Sequence, residues 1–166
     1  MAKRPKIKLA LTNSDKILEI IGWILIFTIW ILTLTIYDSL PEVIPTHYNI
    51  AGVADRFGEK WMVLTLPLWA TLLFVGLTIM NKFPHVFNYP TEITADNAER
   101  QYTNATKMIR YLKVIIVVVF TLIVYRKIRY ISGQIDAFSV WFLPLIIILI
   151  FAPVVHFVTK SFRAKR

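Results

Sequence analysis

The sequence of 166 residues contains no cysteine and few charged side chains. Without cysteine, the chain can form no disulfide, thiolate metal site, iron–sulfur cluster or cysteine nucleophile. Charged residues make up 17% of the chain, whereas a soluble domain normally carries about 25%. Hydrophobic residues make up 57%, the mean hydropathy is +0.60, and the apolar residues form long blocks instead of amphipathic patterns. The composition therefore predicts an integral membrane protein.

Four apolar blocks are long enough to cross a bilayer core of about 30 Å. The first is read as an uncleaved signal anchor, interrupted only by Gly22 and three threonines. No charged side chain is expected deep inside a block, which argues against a transporter or channel. The sequence thus predicts a single-domain, all-α polytopic membrane protein with about four transmembrane helices, at residues 17–37, 61–80, 109–125 and 138–159.

The net charge of +9 does not indicate nucleic-acid binding, because the basic residues gather at the ends of the apolar blocks. Fourteen Lys and Arg residues fall in the two tails and in the second connection, counted from Asn81 to Lys113, against five in the first and third connections. The positive-inside rule then places both termini, including the basic tail of residues 1–16, in the cytoplasm. The expected location is the inner (plasma) membrane.

The connection of residues 38–60 is predicted to be a structured loop on the outer side. Pro41 and Pro45 favour an extended path, while Gly52 and Gly58 permit tight turns with positive φ. Its polar side chains either satisfy the loop's own backbone, which is the simpler interpretation, or bind a ligand at the membrane surface. One His and one Asp lack the convergent ligands of a metal site, so neither a metal nor a cofactor is predicted. The candidate ligand-binding residues are His47, Asn49, Asp55 and Lys60.

The connection of residues 81–108 is assigned to the cytoplasm. Thr94 is predicted to cap a helix that continues without proline from about Ala95 to Tyr125, so that its first part forms a cytoplasmic extension of the third helix. Polar residues here either hold the turn beside them or contact an inner partner. The candidate partner-contact residues are Asn88, Tyr89, Asn97 and Gln101.

The segment Leu40 to Lys60 resembles the bacterial membrane family called domain of unknown function 1648. The pattern is Leu-Pro-x-x-Ile-Pro-x-His-x-x-x-x-Gly-x-x-Asp-x-x-Gly-x-Lys, and the later Phe-Asn-Tyr-Pro stretch is similar to the segment that comes after this domain in many members. The best-understood relatives are Sdp-type immunity proteins, which protect a producing cell from its own secreted toxin and can sequester a transcriptional repressor. The resemblance implies recognition on the outer side and a regulatory partner inside.

Two functional hypotheses arise from these features. The first is a non-enzymatic binding or toxin-immunity protein whose outer loop recognises a secreted peptide toxin or an envelope component. The second is a small membrane enzyme in which His47 and Asp55, eight residues apart, form an acid–base pair acting on a lipid-linked substrate. The first is preferred, and no catalytic residue is assigned. The expected partners are the lipid bilayer and these ligands, and a homo-oligomer is also allowed.

Overall fold

The computed structural model describes residues 4–135 and 139–163. Each long helix is apolar enough to cross a membrane. The second span includes the turn of 3-10 helix, Lys60–Leu64, that precedes the helix Thr65–Met80. This confirms the predicted helical membrane fold. The predicted fourth span begins at residue 138, which lies outside the described residues. The helices are α1 (Asn13–Tyr37), α2 (Thr65–Met80), α3 (Ala98–Ile131) and α4 (Phe142–Arg163).

Helix α1 begins at Asn13 because Thr12 and Asp15 form a capping box. The Thr12 backbone N–H donates to Asp15 Oδ2 at 2.9 Å, and the Asp15 N–H donates to Thr12 Oγ1 at 3.3 Å. The helix therefore starts four residues before the predicted first span. This earlier start adds a turn that carries an acidic side chain into the bundle.

Helices α1, α2 and α3 pack around an apolar core. Gly22 of α1 makes close contact possible, because a Cβ at this position would overlap the ring of Phe74 in α2. Trp30 Nε1 donates to Thr71 Oγ1 at 3.0 Å and joins the same two helices. Large apolar side chains on the opposite faces stay exposed, as expected for helices in contact with lipid. The core residues are Ile26, Ile29, Ala70, Phe74, Val117 and Val124.

The prediction that Thr94 caps the third helix is wrong. Asn97 is the cap residue, and its Oδ1 accepts a hydrogen bond from the Thr94 N–H at 3.0 Å, which closes a local turn before the helix. Helix α3 then runs without interruption from Ala98 for 34 residues, about 51 Å. It extends beyond the predicted third span of residues 109–125 at both ends.

The connection between α1 and α2 is structured, but it is a β-hairpin, an element that the all-helical prediction did not include. Strand β1 (Val43–Tyr48) pairs antiparallel with β2 (Ala54–Glu59). Gly52 has φ +77 and makes the turn, as predicted. Gly58 does not have positive φ: it lies in β2, where an added Cβ would come within 2.6 Å of the Met62 sulfur. Close packing, and not a turn, explains this glycine.

The bundle has two chemically different ends. At one end the hairpin packs through Leu40, Ile44 and Val63. At the other end the N-terminal segment packs on the start of α3, where the Tyr102 hydroxyl donates to the Pro5 carbonyl at 3.1 Å. We call these the hairpin end (residues 38–64, 123–135 and 139–146) and the terminal end (residues 4–19, 78–113 and 157–163).

Helix α4 is fixed to α3 at the terminal end. Gln101 is 1% exposed, and its Nε2 donates to the Ser161 carbonyl at 3.1 Å. Asn104 Nδ2 donates to the Phe157 carbonyl at 2.8 Å. The buried residues of α4 are Phe157 and Ser161, both at this end. At the hairpin end, α4 and α3 instead border a cavity.

Candidate functional site

The hairpin brings His47 and Asp55 into direct contact. The strand register is irregular on both sides of His47, and the turn that joins the strands is closed by Asn49, whose Oδ1 accepts from the Val53 N–H at 3.1 Å. In this arrangement His47 Nδ1 lies 2.6 Å from Asp55 Oδ1. The sequence placed the two residues eight apart and predicted the turn at Gly52, but it contained no signal for the irregular strand register that makes them meet.

The contact sets the chemistry that the imidazole can offer. A carboxylate only accepts hydrogen bonds, so the hydrogen of this bond belongs to Nδ1 of His47. In the neutral ring the other nitrogen, Nε2, is then the acceptor. The side chains of His47 and Asp55 are 54% and 40% exposed. The pair is therefore an oriented and accessible polar group, not a buried structural one.

A half-open cavity of about 320 Å³ lies beside this pair, between the hairpin, α3 and the start of α4. Its volume falls at the small end of ordinary ligand pockets. Burial and the nearby Tyr130 raise the pKa of Tyr48, so the phenol on the hairpin wall stays protonated. The cavity thus combines apolar walls with the imidazole of His47 and the neutral phenol of Tyr48. Its lining residues are Thr46, His47, Tyr48, Asn49, Ile50, Gly52, Ile123, Ser139, Val140, Phe142, Leu143 and Ile146.

The four predicted ligand-binding residues do not form one cluster. His47 and Asp55 are in contact, and Asn49 lines the same cavity while it closes the turn. Lys60 lies at the base of the hairpin, where its ammonium donates to Glu42 Oε1 at 2.7 Å. Because Lys60 stands opposite Glu42, it is separated from His47 by roughly 16 Å along the strand. The cavity site therefore excludes Lys60.

The four predicted partner-contact residues all lie at the terminal end, about 29 Å along α4 from the cavity. Asn88 is exposed, whereas the hydroxyl of Tyr89 donates to the Pro84 carbonyl at 2.8 Å. Asn97 Nδ2 donates to the Glu92 carbonyl at 3.0 Å, and Gln101 is bound to Ser161. Three of these side chains are therefore engaged in contacts within the chain.

Buried charges lie inside the helices within a few residues of the ends of the predicted blocks, whereas the prediction concerned charges deep inside a block. Glu19 lies within the first block, and Lys113 is 0% exposed. The Lys113 ammonium donates to Glu19 Oε2 at 2.6 Å and to Thr78 Oγ1 at 2.7 Å. Arg110 lies 3.4 Å from Asp15 and 3.5 Å from Glu19. The mean hydropathy of a block does not reveal these residues, because one charged side chain barely changes the average over a long apolar window.

Comparison with known protein families finds a match to part of the chain. Residues 24–71 match the family model described as domain of unknown function 1648. This segment runs from α1 through the hairpin into α2, so it includes the His47–Asp55 pair. The predicted resemblance is thereby supported over this segment, while the bacterial origin and the link to Sdp-type immunity stay predictions.

Comparison with curated proteins finds a relative that adds no activity. An uncharacterised protein of Archaeoglobus fulgidus is 34% identical over 88 residues, which cover 48% of each chain. The chain therefore spans about half the length of the curated relative it matches. No solved structure matches the chain.

Proposed function

We propose that this protein is a non-enzymatic membrane binding protein of the toxin-immunity type, which recognises an amphipathic ligand at its hairpin end. The observation that carries the proposal is the His47–Asp55 pair at the rim of a mostly apolar cavity. An apolar segment of a secreted peptide toxin or an envelope component would fill the cavity. His47 would then bind a polar group of the same ligand.

The cavity is suited to recognition because its walls come from three separate elements. The hairpin contributes residues 46–50, α3 contributes Ile123, and α4 contributes Leu143 and Ile146. A ligand that binds all three walls would fix the position of the hairpin relative to α4. Such a clamp sequesters a membrane-active molecule without any chemical step, as immunity requires.

The direct test is survival of a sensitive bacterium that expresses the protein and is challenged with membrane-active peptide toxins of the Sdp kind. We expect protection by the wild type, and loss of protection in His47→Ala and in Leu143→Trp, which fills the cavity. His85→Ala and Ile147→Trp are the matched controls, because neither residue lines the cavity. Equal protection by Leu143→Trp and the wild type, or no protection by the wild type across the panel, would contradict the proposal.

The proposal also requires that the hairpin faces outward and that both termini are cytoplasmic. The absence of cysteine makes this simple to measure, because a single introduced thiol is the only target for a membrane-impermeant maleimide. Ile50 is 94% exposed at the hairpin tip, and Val86 is exposed at the terminal end. We expect Ile50→Cys to be labelled in intact cells and Val86→Cys only after the membrane is opened. The reverse pattern would exclude an outward hairpin.

A second candidate function is an enzyme that acts on a lipid-linked substrate. The observation that favours it is the short His47–Asp55 bond, because a carboxylate that orients an imidazole is typical of general acid–base sites. Ser139 lines the same cavity and offers a hydroxyl. Turnover of a lipid-linked substrate that is lost in both His47→Ala and Ser139→Ala would replace the binding proposal with this one.

A further inference from the structure

Lys127 is a buried basic residue at the hairpin end of α3. It is 6% exposed, although lysine is almost never buried without a partner. Among residues 4–135 and 139–163, no hydrogen bond or ion pair engages its ammonium. A buried charge without a counter-charge is costly, so the position needs an explanation beyond packing.

Of the four described carboxylates at the hairpin end, three are engaged elsewhere, and the fourth, Asp38, is exposed at the end of α1. Glu42 accepts from Lys60, Asp55 accepts from His47, and Glu59 accepts from the Trp61 indole at 2.8 Å. The fold therefore does not direct one of these groups to Lys127. None of the four lies within ion-pair distance of the Lys127 ammonium, so a bound ligand can supply the matching negative charge.

Lys127 does not itself line the cavity, but helical spacing places it one turn from Ile123, which does. Ile123, Lys127 and Tyr130 are separated by four and three residues, so they share one face of α3. Ile123 lines the cavity, and the Tyr130 ring packs edge-on against Tyr48, another lining residue, with centroids 5.3 Å apart. Lys127 therefore lies between two residues that border the cavity wall, and its flexible four-carbon stem allows the ammonium to reach a headgroup there.

We infer that the ligand of this cavity is an amphiphile with an acidic headgroup, a carboxylate or a phosphate, and that Lys127 supplies the counter-charge. The inference rests on the proposed function of the cavity and specifies the class of ligand that it takes. The alkyl part contacts the apolar residues of α3 and α4. The headgroup ion-pairs with Lys127 and accepts or donates a hydrogen bond at His47, according to its protonation.

The test uses the full chain in maltoside micelles and two probes of nearly equal size. Dodecyl phosphate carries the acidic headgroup, and its dimethyl ester is the neutral match. Binding of each probe is followed by the fluorescence of the five native tryptophans. We expect dodecyl phosphate to bind the wild type about tenfold more tightly than the ester or better, the range of one charge-assisted hydrogen bond.

The variants separate the charge from the cavity. Lys127→Met removes the charge and keeps the length of the side chain, so the preference for the phosphate should fall to less than about twofold. Arg129→Met is the matched control, because it removes the same charge from an exposed position two residues away. Leu143→Trp should abolish binding of both probes. A preference that Lys127→Met retains, or that the wild type lacks, overturns the inference.

Two further outcomes are distinguishable. If both probes bind equally and Leu143→Trp abolishes both, the acidic headgroup is wrong while the proposed cavity function stands. If Leu143→Trp leaves binding of both probes unaffected, the cavity function itself fails.

Asp136 lies outside the described residues, and Asp136→Asn tests whether it is the counter-charge of Lys127. If Lys127→Met lost stability instead of gaining it, and Asp136→Asn lost the same amount, the inference would be overturned, since Lys127 would then have a partner within the chain.

Discussion

Each end of α3 contains a buried lysine, but the two lysines differ in their polar partners. At the terminal end, Lys113 is surrounded by Glu19, Thr78 and the ring of Phe74, whose centroid lies 4.5 Å from the ammonium. About 21 Å along the helix, Lys127 is also buried but has no such partners among the described residues. Within the described residues, the chain therefore supplies a counter-charge to the ammonium of Lys113 but not to that of Lys127.

This difference between the two lysines agrees with a wider difference between the terminal end and the hairpin end. The terminal end joins α1, α2, α3 and α4 by buried polar contacts within the chain, including the Gln101 and Asn104 bonds to α4. The hairpin end leaves a cavity, an oriented histidine and an uncompensated charge. Groups that the fold satisfies by itself stabilise structure, whereas groups that it leaves open are the ones that a ligand can satisfy.

Removing the compensated lysine should have the largest effect. Lys113→Met leaves Glu19 without its closest partner inside the bundle, and we expect the free energy of unfolding to fall by about 3–5 kcal/mol. Chemical unfolding in maltoside micelles, followed by tryptophan fluorescence, measures this loss. The double variant Glu19→Gln/Lys113→Met should recover part of it, because no unpaired charge then remains. A loss in the double variant equal to the sum of the single losses would show that the two charges are independent.

Removing Lys127, the lysine without partners among the described residues, should increase stability instead of decreasing it. Without ligand, Lys127→Met relieves the burial of an unpaired charge, so we expect the free energy of unfolding to rise by about 2 kcal/mol. The same unfolding experiment measures it, and Arg129→Met should change stability by less than about 0.5 kcal/mol. A destabilised Lys127→Met would mean that both ends of α3 are compensated, and the contrast between them would no longer hold.

Gln101 distinguishes an internal contact from a surface for a partner. Gln101→Leu leaves the Ser161 hydroxyl and carbonyl without their partner, and we expect a loss of about 1–2 kcal/mol. Thermal unfolding of the purified chain, with no other protein present, detects this loss. Unchanged stability would instead support the interpretation of Gln101 as a partner contact.

The smallest expected effect on stability is that of His47→Ala. Both members of the His47–Asp55 pair are more than one-third exposed, and exposed pairs contribute about 0–1 kcal/mol. Unfolding should therefore change by less than about 0.5 kcal/mol, although ligand binding is lost. A large loss of stability would reassign the pair to the structure of the hairpin.

The sequence predicted the features that depend on long averages and missed those that depend on single contacts. Four spanning helices follow from the apolar blocks, and the turn at Gly52 follows from its conformational freedom. The His47–Asp55 contact depends on an irregular strand register that no spacing rule specifies. The capping of α3 by Asn97 instead of Thr94 also escapes the sequence, because both residue types are common helix caps.

The buried lysines illustrate the same limit. In the sequence, Lys113 belongs to the inner side of the charge count and Lys127 to the outer side, and hydropathy does not show which face of a helix either residue occupies. Their contrasting surroundings emerge once α1 and α3 pack together and place Glu19 beside Lys113. Burial and partners, and not residue type, distinguish a structural lysine from a candidate binding residue.

The most direct test of the central claim is mass spectrometry of the small molecules that co-purify with the full chain from its membrane. The wild type, Leu143→Trp and the control Ile147→Trp would be purified side by side. We expect an acidic amphiphile that is retained by the wild type and Ile147→Trp and is lost from Leu143→Trp. The same amphiphiles in equal amounts from all three proteins would contradict a binding site at the hairpin end.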